Sequence, residues 1–125
     1  MTIKFKKWFE NGEYARYKVV LPAENFTNCP TKEVRIDSCF QVISKGNEYR
    51  VTTFGETRNG WLERAGVIPT GLDWSDSEKG VGQWSSPWMK KKDLLVVLER
   101  LIPLEIATWR DNPYIKEQFR NIELV

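Results

Sequence analysis

Histidine is absent from these 125 residues. That removes the side chain that changes charge near neutral pH, and with it His-based acid–base catalysis, Ser-His and Cys-His nucleophile pairs, and His-ligated zinc. Cysteine is nearly absent too. Cys29 and Cys39 are the only two, short of the about four ligands a Cys-rich zinc site needs. No apolar run approaches the roughly 20 residues of a membrane span. The start, MTIKFKKWFENGEY, has Lys4, Lys6 and Lys7 but no apolar stretch behind them, so it does not resemble a secretory signal. A cytoplasmic protein with reduced thiols and no membrane partner is therefore expected, and the Asn25-Phe26-Thr27 triplet has no glycosylation role. Gly80-Val81-Gly82 lacks the third glycine and the preceding strand of a dinucleotide fingerprint. A strong excess of one charge is missing as well: the net charge is +2, so any electrostatic preference must come from clustering.

What remains is the make-up of one globular domain covering 1–125. It has 41% hydrophobic and 29% charged residues, both ordinary values, and enough length to bury a core without staples. Residues 2–68 read mostly as antiparallel strands, 69–86 as a loop and 87–121 as helices. The expected fold class is α+β: a β-meander of about five strands packed against C-terminal helices.

Thr2-Ile3-Lys4-Phe5-Lys6 alternates as a half-buried strand should. Asn11-Gly12 marks a hairpin turn, and Tyr14 to Leu21 returns. A two-residue Asn-Gly turn would oppose Phe5 with Lys18. A loop one residue longer opposes Phe5 with Val19 and Ile3 with Leu21, and the hydrophobic pattern favours it, with Gly12 at a bulge. One face then carries Lys4, Lys6, Trp8, Arg16 and Lys18, with Trp8 opposite Arg16 in reach of a cation–π contact. Either this is a solvated edge that discourages aggregation, or it is a basic, aromatic surface for a phosphate backbone and its bases.

Val34, Ile36, Phe40 and Val42 continue the alternation. A tight turn at Gly46-Asn47 pairs Val42 with Val51 and Phe40 with Thr53. Asn59-Gly60 signals a further turn, with Trp61 to Arg64 returning as a strand. Asp37, Glu48 and Arg50 resemble a degenerate metal-nuclease pattern. In the tight register Glu48 faces Lys45, so the two carboxylates lie roughly 27 Å apart at about 3.4 Å per residue, too far to share a metal.

The stretch from Thr70 to Met89 holds Trp74, Trp84 and Trp88 among glycines and serines. Long structureless loops in compact domains are usually functional, and plain disorder would avoid such aromatics. Asp73, Asp76 and Glu78 surround Trp74 without calcium-loop spacing or its glycine, so neither metal nor cofactor is expected. Ser86-Pro87 looks like a helix start, with Trp88 then in the core. Leu94, Leu95, Leu98, Leu101 and Ile102 form a helical core stripe. Lys90, Lys91 and Lys92 sit in early turns, where the helix dipole disfavours them. Pro103 should break or kink the helix, Asp111-Asn112-Pro113 should restart one, and Ile122 to Val125 reads as a short strand.

Three functions follow as expectations. The first is a non-enzymatic domain that engages or inhibits a protein partner through Trp74, Trp84, Asp73 and Asp76. It would be in the style of an immunity protein or phage-encoded inhibitor, by analogy of size and composition alone. The second is a single-stranded nucleic-acid or nucleotide binder using Lys4, Lys6, Trp8, Arg16 and Lys18, with Lys90, Lys91 and Lys92. The third is an enzyme working through carboxylates such as Asp37, Glu48, Asp73 and Asp76. No catalytic set stands out.

Overall fold

The computed structural model describes residues 1–54, 60–70, 72–73 and 83–125, without the side chains of Leu72, Asp73 and Gln83. The expected hairpin opens the chain: β1 (Lys4–Asn11) and β2 (Tyr14–Pro22) pair antiparallel, with Phe5 opposite Val19. The extra residue, however, is not at Gly12. The register shifts between Lys7 and Phe9, so Trp8 is the bulged residue, and Asn11 closes directly on Tyr14. Gly12 has φ +61°, the conformation that a tight two-residue hairpin loop demands. The turn therefore stays tight, and the bulge moves up the strand.

β3 (Phe26–Thr27) and β4 (Glu33–Arg35) follow, then the hairpin of β5 (Phe40–Lys45) and β6 (Glu48–Phe54). Val42 faces Val51 and Phe40 faces Thr53, in the expected register. Trp61 to Arg64 is not a strand but a short helix, α1 (Trp61–Arg64). Trp61, Leu62 and Ala65 are buried together, and that spacing fits one turn of helix rather than an alternating strand.

The tryptophan-bearing stretch is partly in the sheet. β7 (Leu72–Asp73) and β8 (Gln83–Ser85) pair with each other, and β8 pairs with β6. The sheet has seven strands in the order β1-β2-β5-β6-β8-β7, with β4 also on β2, while β3 pairs with the C-terminal β9 (Glu123–Leu124). Ser86 does not cap a helix. Its hydroxyl accepts the Val51 N–H at 3.0 Å and donates to the Pro87 carbonyl, so it extends the pairing of β8 with β6. Met89 and Tyr49 then exchange two backbone hydrogen bonds of 2.8 Å.

The helix α2 (Lys91–Ala107) therefore starts later than Ser86 suggests, and it runs through Pro103 without a break. Pro103 and Glu99, whose carbonyl loses its partner, both lie on the exposed side, where water can replace the missing bond. Beyond α2 no second α-helix forms. Short 3-10 turns at Trp109–Asp111 and Glu117–Phe119 carry the chain, and Asn112 Oδ1 accepts the Tyr114 N–H at 2.9 Å, a local turn that competes with helix.

The core lies between one face of the sheet and α2. Val19, Leu21, Phe40, Val42 and Val51 meet Leu94, Leu98, Leu101 and Ile102, all buried in one cluster. This is an α+β fold, and among the described residues no helix is long and apolar enough to cross a membrane.

Candidate nucleic-acid interface

Residues directly opposite on neighbouring strands share a face, so the register assigns every strand residue to one side. Phe5, Val19, Val42 and Val51 face α2. The other side carries the row Phe9, Arg16, Ile43 and Arg50, each opposite the next. Alternate residues add Lys4, Lys6, Tyr14, Lys18, Gln41, Lys45 and Phe54 to that side. Trp8, Phe9 and Tyr14 are large and exposed, at 48%, 44% and 44%.

Cations and rings interleave on this face. The Arg16 guanidinium lies 5.4 Å from the Phe9 ring centre, the Lys45 ammonium 5.6 Å from Tyr14, and the Arg50 guanidinium 4.5 Å from Trp88. These are cation–π distances, and they hold the long side chains flat against the sheet. Arg50 also donates Nε–H to the Ser86 carbonyl at 2.9 Å. Among the described residues Lys4, Arg16, Lys18 and Arg50 make no ion pair. Arg16, Lys18 and Arg50 have no carboxylate in contact, and Lys4 acts on the Glu33 carboxyl through charge alone, so their cationic groups remain available to phosphates. Lys6 differs, because it is bonded to Glu33. The Lys6 ammonium holds the Glu33 carboxyl below its ordinary range, chiefly through that hydrogen bond.

At the β4–β5 end the face dips into an open cavity of about 260 Å³ lined by Trp8, Arg16, Arg35, Asp37, Gln41 and Phe54. Asp37 is buried, and Arg35 donates Nε–H to its Oδ1 at 2.6 Å. The neighbouring residue ties this loop to the core. Ser38 donates its backbone N–H, at 3.0 Å, and its hydroxyl to Oε1 of Glu105, a fully buried residue of α2.

The basic residues proposed together from the sequence do not all lie on one side of the sheet. Lys4, Lys6, Trp8, Arg16 and Lys18 gather on the open side, but Lys91 lies over Phe5, 5.6 Å from its ring centre, on the helix side. Lys91 at the start of α2 is therefore not part of the hairpin's basic face, while no ion pair or ring contact among the described residues ties Lys90 or Lys92 to either side. The cation–π partner of Arg16 is Phe9 rather than Trp8, because the bulge advances the register by one. Trp84 is opposite Thr53 and packs half-buried against the core. Asp73 pairs with Gln83 through backbone in β7, and its side chain lies outside the description. Trp74 and Asp76 lie outside the described residues. Glu48 sits opposite Lys45 at the far end of an uninterrupted ladder from Phe40, so the register keeps it remote from Asp37. Among the described residues no cluster of His, Cys, Asp or Glu is placed to hold a metal.

Sequence reasoning misses Phe9, Tyr14, Lys45, Arg50, Trp88 and Gln41 as members of this face. For Tyr14 a signal existed, since alternation from Arg16 places it there, whereas Gln41, Lys45 and Arg50 need the pairing of β2 with β5 as well. For Phe9 and Trp88 no signal existed, because each depends on a bulge or an irregular strand end. Comparison with family models, curated proteins and solved structures finds no match to this chain.

Proposed function

We propose that this chain is a non-enzymatic binding module for single-stranded nucleic acid, and that the solvent-facing side of the β1-β2-β5-β6 sheet is its surface. One observation carries the reading: the row Phe9–Arg16–Ile43–Arg50 ends at Trp88, with a guanidinium stacked on an aromatic ring at either end. Single-strand binders combine cations that track the backbone with aromatic faces on which successive bases stack. Trp8 and Tyr14 supply two further exposed rings, and Lys4 and Lys18 two further cations. A duplex, whose bases are already stacked, would leave those rings unused. The test is tryptophan fluorescence under titration with an oligothymidine. Saturable quenching that is lost in Trp8→Ala supports the reading, and an emission spectrum unchanged to saturating oligomer overturns it.

A protein partner is the second reading. Trp8, Phe9 and Tyr14 cluster at one hairpin tip, and exposed aromatics beside arginine are the residue types of interface hot spots. A stoichiometric protein complex whose affinity is insensitive to salt, together with no binding of oligonucleotide, would favour it.

A further inference from the structure

We infer that the cavity beside Trp8 is a pocket for one unstacked nucleobase and that it selects bases bearing an exocyclic amino group, guanine first. The inference rests on the nucleic-acid reading above and adds base selectivity to it.

The cavity's size sets the ligand. About 260 Å³ is below the roughly 300 Å³ at which pockets for drug-sized ligands begin, so a single planar ring system fits better than a whole nucleotide. Its walls set the chemistry. Trp8, nearly half exposed, offers a ring surface, the usual partner of a splayed-out base. Arg16, which bears no ion pair among the described residues, also lines the cavity, and the phosphate of the same nucleotide would lie against it.

The polar floor sets the preference. Gln41 is half-buried there, and its side-chain amide has no hydrogen-bond partner among the described residues. Asp37 is buried beside it with one edge taken by Arg35. A carboxylate has about four acceptor sites, so the Arg35 contacts leave it capacity. Asp37 thus presents an acceptor to whatever enters, and the Gln41 amide offers both an N–H donor and a carbonyl acceptor beside it. Guanine's pairing edge carries two adjacent donors, the ring N–H and the amino group. Adenine and cytosine bring an amino group with a ring acceptor beside it. Thymine and uracil bring one N–H between two carbonyls. The Gln41 amide could pair with the N–H and one carbonyl, but the other carbonyl would meet the Asp37 carboxylate with repulsion, whereas guanine can place its two donors on Asp37 and its carbonyl on the Gln41 N–H. The Ser38–Glu105 hydrogen bonds, one residue from Asp37, keep the loop in place before any base arrives, so little ordering remains to be done on binding.

The experiment is a fluorescence-anisotropy titration with an oligothymidine whose central base is replaced in turn by guanine, adenine and cytosine. Guanine should tighten binding by about tenfold over thymine, in keeping with one good bidentate base contact, and adenine and cytosine should fall between. In Gln41→Leu and in Asp37→Asn the guanine-to-thymine ratio should collapse towards one, and Gln41→Leu serves alone if the Asp37 variant fails to fold. Equal affinity for all four oligomers, or a guanine preference that survives Gln41→Leu, overturns the pocket while leaving the sheet surface standing. Failure of every oligomer to bind overturns both.

Discussion

Ser38 and Glu105 are far apart in sequence, yet the Ser38 backbone N–H and hydroxyl both donate to one carboxylate oxygen of Glu105. Glu105 is fully buried, and its other oxygen has no partner among the described residues. The pair joins the helix layer to the loop that carries Asp37. Glu105→Ala would strand two donors and leave a void. Leaving buried donors without their acceptor costs about 1–3 kcal/mol, which is roughly 5–10 °C of Tm for a domain of this size. Glu105→Gln keeps one acceptor oxygen and should cost less. Thermal unfolding of the three proteins checks the order.

Gly66 ends α1 with φ +86°, and a Cβ there would lie 2.5 Å from Nη1 of Arg100. That guanidinium donates to the Ala65 carbonyl at 3.1 Å. Gly66→Ala therefore both strains the backbone and displaces a bond that fastens α1 to α2. A loss of about 1–2 kcal/mol is expected, measurable as a lower denaturant midpoint with an unchanged slope.

How far the sequence foretold these features depends on whether one force or two acted at a position. In the β5–β6 hairpin the apolar alternation and the Gly46-Asn47 turn agree, and the register follows from either. In the first hairpin they disagree by one residue. Alternation correctly puts Phe5 opposite Val19, but only the structure shows that Trp8 absorbs the mismatch. Ser86 looks like a helix cap because Pro follows it, yet the nearest donor to its hydroxyl is the Val51 N–H across the sheet, a contact no local pattern contains. Lys4, Lys6, Arg16 and Lys18 are legible as one face because alternation alone fixes them. Gln41, Arg50 and Trp88 join that face through strands distant in sequence. The separation of Lys91 from it needs the position of α2 relative to the sheet.

Glu33 offers a test by charge. Its carboxyl is held below the ordinary range by Lys6. A depressed folded-state value means that the Lys6–Glu33 bond contributes fully above the ordinary carboxyl value near 4.5, and that its contribution fades as pH falls through the folded value. On the binding side, Glu33→Gln frees Lys6 for phosphate. Affinity for oligothymidine should rise, and the salt slope should steepen by about 0.7, the contribution of one added single-strand phosphate contact.

Trp8 is bulged and nearly half exposed, so its ring is available to a ligand. Trp8→Ala should weaken oligonucleotide binding by about 1–3 kcal/mol, the range for one base stacked on an aromatic side chain. Its unfolding midpoint should move little, since the residue lies outside the buried core. Equilibrium binding and thermal unfolding on the same preparation separate the two effects.

The salt dependence of oligothymidine binding tests the sheet-face surface most directly. Lys4, Arg16, Lys18 and Arg50 are the face's cations without ion pairs among the described residues. If all four meet phosphates, the logarithm of the binding constant should fall with the logarithm of salt at a slope of about −3, at roughly −0.7 per contact. Replacing Arg16, Lys18 and Arg50 together by glutamine should bring that slope to about −1 and weaken binding throughout. A slope near zero, or an affinity and slope unchanged in the triple variant, would contradict the assignment of this face to nucleic acid.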